Sequence, residues 1–129
     1  MLDTGVASDY IFRRGGVLER AKSRAQQGIK VGIAMPAVGE LFAGAENSGS
    51  RERNLAKLMH NLGGLRTWPF DRKAAEEFGR LYAHLRKTGR PMPQIDIQIA
   101  AIALSLGSCT LATRDSDFSA IPSLTIEKW

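Results

Sequence analysis

The chain has 129 residues, of which 43% are apolar and 24% charged, proportions typical of one folded domain. They argue against a disordered chain, while a single cysteine and two histidines exclude a disulfide framework and a three-histidine metal site. Eighteen Lys and Arg, twelve of them Arg, against thirteen Asp and Glu give a net charge of +5, which favours a polyanionic partner, with nucleic acid first.

The first third of the chain predicts strands separated by helices. Residues 1–4 predict a short strand, followed by helices near 6–14 and 16–27. Residues 29–34 predict a second strand. Pro36 then opens a helix, because its missing N–H costs nothing in a first helical turn.

The middle of the chain predicts two amphipathic helices on either side of a third strand. Ser50 can cap the first helix and Asp71 the second, and residues 65–70 between them predict the strand. Each helix has apolar residues at helical spacing, which predicts a buried stripe. These residues are Leu55, Leu58, Met59 and Leu62 in the first helix, and Ala74, Phe78, Leu81 and Leu85 in the second.

The last third predicts an apolar helix from about Gln94 to Leu106, then strands at 109–113 and 124–127. Strands separated by helices imply parallel strands joined by crossover connections. We therefore expect an α/β fold with a central, mostly parallel sheet of four to five strands flanked by helices. Residues 1–129 form one domain in this prediction.

Acidic residues fall near the ends of these strands, where ligands gather in open α/β sheets. Converging carboxylates repel one another and suit hard cations such as Mg²⁺ or Mn²⁺. Cations held in this way can activate a water and stabilise the leaving oxygen in phosphodiester cleavage. The acids are Asp3, Glu40, Asp96, Asp115 and Asp117.

Each acid also has a simpler structural explanation. Asp3 could be a polar strand end, and Glu40 a solvated helix residue. Asp96 could favour a helix N-terminus through the helix dipole. Asp115 and Asp117 could be turn residues that bond to local backbone. The joint pattern favours a site, because four separate acids map to one side of the predicted sheet.

Short segments along nearly the whole chain, in their order and spacing, resemble a PIN-domain ribonuclease of the VapC type, the toxins of bacterial toxin–antitoxin pairs. The segments are Leu2-Asp3-Thr4, residues 36–41 (PAVGEL), residues 68–71 (WPFD), residues 96–101 (DIQIAA), residues 112–115 (ATRD) and Asp117-Phe118.

The resemblance implies endonuclease activity on tRNA or rRNA that depends on Mg²⁺ or Mn²⁺. It places the family's metal-holding acids on Asp3, Glu40, Asp96 and Asp115, with Asp117 at a more variable acidic position. It also implies a homodimer silenced by a cognate antitoxin. Because no signal-like apolar segment begins the chain, we expect a cytoplasmic protein without a membrane partner.

Gly5 departs from the family pattern, which reads Asp-Thr-Asn where this chain has Asp3-Thr4-Gly5. The Asn amide would orient the acidic cluster, and Gly5 cannot. Thr4 could orient Asp3 instead, with water covering the loss. Alternatively, the domain is catalytically attenuated and acts mainly as an antitoxin-binding or RNA-binding module.

Several basic residues are candidates for contacts with the RNA backbone. Arg114, between a predicted strand and Asp115, could bind a phosphate or pair with the acids. Each of the other candidates could equally be a solvated surface charge. They are Arg13, Arg14, Arg86, Lys87 and Arg90.

Overall fold

The computed structural model describes all residues, 1–129, and every strand pairing in it is parallel. The helices are α1 (Thr4–Phe12), α2 (Val17–Gln26), α3 (Met35–Glu46), α4 (Arg51–Leu62), α5 (Arg72–Lys87) and α6 (Gln94–Ser105). The strands are β1 (Gly32–Ala34), β2 (Arg66–Trp68), β3 (Thr110–Thr113) and β4 (Thr125–Lys128), with a 3₁₀ helix (Ser116–Ala120) between β3 and β4.

Leu2 joins the two strand pairs into one sheet. It bridges in parallel to Ile33 of β1 and to Ala112 of β3, so the order across the sheet is β2, β1, Leu2, β3, β4. The Leu2 N–H donates to the Gly32 carbonyl at 2.8 Å, which fixes this position. The predicted α/β class is confirmed; four regular strands and one bridging residue make up the sheet.

The strand predicted at 1–4 is wrong in extent, because Asp3 begins a helix. Asp3 Oδ1 accepts a hydrogen bond from the Val6 N–H at 2.6 Å, which is the side-chain cap that starts α1. Thr4 is therefore helical, and Leu2 alone pairs with both neighbouring strands. The helix also ends at Phe12 rather than at residue 14, because Arg13 adopts the left-handed conformation with φ 55°.

The second and third predicted strands are also too long, whereas the last strand keeps its length and is shifted by one residue. Residues 29–34 contribute only β1, and residues 65–70 only β2. These two strands approach so closely that a Cβ on Gly32 would lie 2.1 Å from the Arg66 carbonyl oxygen. Glycine is therefore required there, because any side chain would force the strands apart.

The two predicted helix caps differ in outcome. Asp71 Oδ1 accepts from the Ala74 N–H at 2.9 Å and caps α5, which confirms the prediction. Ser50 precedes α4, but its hydroxyl caps nothing and instead accepts from the Arg53 guanidinium at 3.0 Å. The buried stripe of α4 is also partly wrong, because Met59 is 68% exposed.

Helix α6 lies at the centre of the core, as its apolar composition predicts. Ile97 and every residue from 99 to 103 are buried. Helix α5 packs along α6 and buries Ala74, Leu81 and Leu85. Helix α6 also contacts α3 and β3. None of the helices combines the length and apolar character that crossing a membrane requires.

Candidate active site

The carboxyl edge of the parallel sheet collects acidic side chains from four parts of the chain. Asp3 follows Leu2, and Glu40 lies in α3, which begins directly after β1. Asp96 lies in the first turn of α6. Asp115 and Asp117 follow β3. The order of the strands in the sheet therefore brings acids that are far apart in the sequence to one edge of the fold.

Asp96 is the electrostatic centre of this group. Its pKa is raised from 3.8 to about 6, first by burial and then by the charges of four other carboxylates. In decreasing order of effect these are Glu40, Asp115, Asp3 and Asp117. All five predicted acids therefore share one electrostatic environment, in which the other four oppose the ionisation of Asp96.

Asp3 is buried, with 7% of its surface exposed. Burial raises its pKa, and the charge of Asp115 adds to the rise. The Thr113 side chain, the Val6 N–H and the Arg114 charge oppose the rise by stabilising the carboxylate. Asp3 therefore both caps α1 and presents a desolvated acid to the site.

Thr4 has a different role from the predicted one. Its hydroxyl donates to Glu40 Oε2 at 2.5 Å and not to Asp3. This bond ties the N-terminus of α1 to α3. Thr4 therefore orients the acid of a neighbouring helix, a contact that its position beside Asp3 does not reveal.

Asp115 is held by a short turn, as its simpler explanation suggested. The Asp115 N–H donates to Thr113 Oγ1, and the Asp117 N–H donates to Asp115 Oδ1, both at 2.9 Å. These bonds leave Asp115 Oδ2 without a protein partner. The turn therefore fixes the direction of the carboxylate while one oxygen stays available to a ligand.

The chemistry of these donors fits a hard divalent cation. All five are carboxylates, and their mutual repulsion is what a bound cation would relieve. No three of the His, Cys, Asp or Glu side chains are arranged as a ready set of metal ligands.

Arg114 pairs with Asp9, which lies outside the predicted site. Its guanidinium bonds to Asp9 Oδ2, while Arg14 Nε lies 2.8 Å from Asp9 Oδ1. The sequence left open whether Arg114 binds phosphate or pairs with the site's acids. Asp9 was missed because Arg114 lies 105 residues further along, so no local spacing indicates the contact.

The other basic candidates lie in three places. Arg13 lines a groove of about 450 Å³ between α1 and α4. Arg90 lines a cleft of about 380 Å³, of which Asp117 is another lining residue. Arg86, which stacks on a tyrosine ring, and Lys87 are exposed at the end of α5.

A family model described as "PIN domain" matches residues 1–124. The chain belongs to the PIN-domain family. This PIN domain is 34% identical over 129 residues to ribonuclease VapC2 of Haemophilus influenzae. It is 30% identical over 129 residues to the tRNA(fMet)-specific endonuclease VapC of Shigella flexneri. Both matches cover 100% of this chain and 96% of the relative.

Solved structures extend the similarity. The PIN domain superposes on VapBC2 from Rickettsia felis, bound to a promoter DNA fragment, with a TM-score of 0.92 and 27% identity. It matches DNA-bound VapBC of Salmonella typhimurium with a TM-score of 0.90 and 31% identity. These matches cover 100% of this chain and 97% and 96% of the other chains, respectively. The similarity in sequence and in fold places this chain among the VapC ribonucleases.

Proposed function

We propose that this PIN domain is a Mg²⁺- or Mn²⁺-dependent endoribonuclease that acts as the toxin of a type II toxin–antitoxin pair. Its substrate is tRNA or rRNA, in which it hydrolyses phosphodiester bonds. The observation that carries the proposal is the group of carboxylates around Asp96, whose pKa is raised to about 6 first by burial and then by their charges. A divalent cation would relieve the repulsion within such a group. The names of this chain's relatives, ribonuclease and tRNA(fMet)-specific endonuclease, support RNA as the substrate.

Asp3, Glu40, Asp96 and Asp115 would hold the cation, with Asp117 beside them. When bound, the cation supplies Lewis-acid polarisation of the phosphate and activation of water. The chain's own bonds prepare the ligands: the Val6 N–H fixes Asp3, Thr4 fixes Glu40 and the turn after β3 fixes Asp115. Carboxylates held in this way lose little freedom when they bind a cation.

The proposal includes two protein partners, a cognate antitoxin and a second copy of the chain. The similar structure from Salmonella typhimurium is a VapBC, and another from Mycobacterium tuberculosis is described as a member of the VapBC family of toxin–antitoxin systems. Light scattering of the purified chain, alone and with a VapB-type antitoxin, measures both associations.

RNA cleavage by the purified chain tests the enzymatic proposal. We expect Mn²⁺-dependent cleavage of tRNA or rRNA that EDTA abolishes, because only the cation supplies polarisation of the phosphate and activation of water. Asp96→Asn should lower the rate at least 100-fold with an unchanged circular dichroism spectrum, since ligand loss removes a cation-binding charge.

Glu76→Gln is the matched control. It removes an exposed carboxylate of α5 that contacts Arg72, and it should leave cleavage unchanged. Cleavage that proceeds at its full rate in EDTA would contradict the metal-dependent proposal.

Gly5 motivates a second candidate function, that of an antitoxin-binding or RNA-binding module with weak catalysis. Gly5 lies in the first turn of α1, and a Cβ there would sit 3.7 Å from Asp3 Oδ1. This is an ordinary van der Waals distance, so an Asn fits beside the acid that it would orient. The missing amide is the one feature that favours attenuation.

Gly5→Asn discriminates the two functions. If the wild type is a working nuclease, we expect Gly5→Asn to raise its measurable cleavage rate by no more than about 10–100-fold, the scale of a supporting hydrogen bond at a metal site. Gly5→Ala separates this effect from stiffening of the helix, and should leave the rate unchanged. Cleavage seen only with Gly5→Asn would support the binding module instead.

A further inference from the structure

One carboxylate and two guanidiniums form a cluster beside the acidic site. Asp9 of α1 has a side chain only 15% exposed, and its two oxygens contact different arginines. Arg14 follows α1, and Arg114 follows β3. The bond from Arg114 is the largest cause of the lowered pKa of Asp9, and Arg14 adds to it. The cluster carries a net charge of +1.

Arg114 lies within electrostatic reach of the site's acids. It precedes Asp115 in the chain, and its positive charge lowers the pKa of Asp3. A guanidinium freed from Asp9 would therefore be attracted by the carboxylates of the site. Asp9 prevents this by offering a carboxylate outside the site, to which Arg114 bonds.

The guanidinium of Arg114 retains capacity to bind a ligand. Its side chain is 46% exposed, and a guanidinium has five N–H donors, of which the bond to Asp9 uses only part. The planar fork of an arginine matches the oxygens of a phosphate, and bonds between the two ions are short and strong. An acidic site repels a polyanion, so a guanidinium fixed at the border of the site determines where the RNA backbone can approach.

We propose that Asp9 is a positioning residue, which holds Arg114 at the border of the acidic site so that its guanidinium binds a phosphate of the RNA strand. This inference rests on the proposed function and adds the device that seats the substrate. Asp9 itself contacts no RNA. Its carboxylate acts through Arg114: it keeps the guanidinium away from the carboxylates of the site and available to the RNA backbone.

A double-mutant cycle on RNA binding tests the proposal. The probe is a fluorescein-labelled single-stranded RNA of about 12 nucleotides, within the usual site size of single-strand binding. Its fluorescence anisotropy is measured in EDTA, so that binding is read without cleavage. We expect Asp9→Asn and Arg114→Gln each to weaken binding about fivefold to tenfold, and Asp9→Asn to add nothing once Arg114 is Gln. Asp9→Glu keeps the carboxylate and should restore most of the affinity.

Glu127 provides a matched control. It holds Arg20 and Arg24 at 2.7 and 2.6 Å, as Asp9 holds its two arginines, yet neither arginine acts on the pKa of Asp3 or Asp96. Glu127→Gln should therefore leave RNA affinity unchanged. Two results would overturn the proposal. One is that Asp9→Asn binds RNA as tightly as the wild type. The other is that Asp9→Asn weakens RNA binding just as much when Arg114 is already Gln.

Cleavage of tRNA and of rRNA in Mn²⁺, measured beside binding of the short RNA, separates this inference from the proposed function. A wild type that binds RNA with the expected dependence on Asp9 and Arg114, but cleaves none, supports the positioning role and contradicts the nuclease. A wild type that cleaves RNA while Asp9→Asn binds it normally overturns the positioning role alone. An effect of Asp9→Asn confined to binding a protein partner overturns it as well.

Discussion

At the scale of single residues, Asp96 shows how burial and like charge act together. A lone half-buried Asp in the first turn of a helix would be stabilised by the helix dipole. In this site the opposite effects dominate, because desolvation and the neighbouring carboxylates raise its pKa to about 6. The residue is therefore held in the fold at a cost to stability.

This cost predicts a pH-dependent effect of Asp96→Asn. Below pH 3.8 Asp96 is protonated whether the chain is folded or not, so it opposes folding little. Between pH 3.8 and about 6 the unfolded chain ionises Asp96 while the folded chain keeps it protonated, so stability falls across this window and the loss is complete above it. The full shift corresponds to about 3 kcal/mol, which solvent screening of a half-buried group reduces to about 1–2 kcal/mol.

Urea unfolding in EDTA from pH 3.5 to pH 8 measures this prediction. Asp96→Asn should be about 1–2 kcal/mol more stable than the wild type at pH 8 and equally stable at the acidic end. Mn²⁺ at pH 8 should stabilise the wild type more than the variant. A variant that is less stable than the wild type at pH 8 would show that Asp96 has a favourable structural role.

At the scale of elements, helix starts depend on whether a polar side chain reaches the free N–H groups of the first turn. Asp71 reaches the Ala74 N–H, whereas the Ser50 hydroxyl caps nothing and accepts from Arg53. Both residues look like caps in the sequence. Only the backbone conformation of the preceding loop decides which of them acts as one.

Asp71→Ala should therefore destabilise the domain by about 1 kcal/mol, the usual cost of losing a helix cap. For a chain of this length that corresponds to a fall in Tm of about 3–5 °C. Ser50→Ala is the control, and should change Tm by less than about 1 °C because no cap is lost. Equal shifts for the two variants, measured by thermal unfolding, would contradict the assignment of the caps.

At the scale of the whole molecule, the net charge of +5 conceals two opposite regions. With Asp3, Glu40, Asp96 and Asp115 in the site, nine other Asp and Glu face eighteen Lys and Arg, so the rest of the chain carries +9. All the ion pairs involve arginine, and Asp9 and Glu127 each pair with two arginines. An acidic centre within a basic surface matches a protein that draws in a polyanion and needs cations to act on it.

The order of elements, the α/β class and the family could be read from the sequence, because they depend on local signals. Apolar spacing predicted the helices, Pro36 and Asp71 marked helix starts, and short segments carried the resemblance. The proximity of the five acids could also be predicted, since strand ends meet at one edge of a parallel sheet. Strand lengths could not, because Asp3 acts as a helix cap where a strand end was expected.

Only the tertiary structure decided which side chains meet. Thr4 bonds to Glu40, 36 residues away, and Arg114 to Asp9, 105 residues away. Neither separation repeats with the period of a helix or a strand, so no pattern in the sequence marks these contacts. The sequence by itself determined which charged residues the protein has and which of them lie near the ends of its strands and helices. Their pairing, and with it the separation of Arg114 from the acids, arises because α1, α3 and β3 pack together.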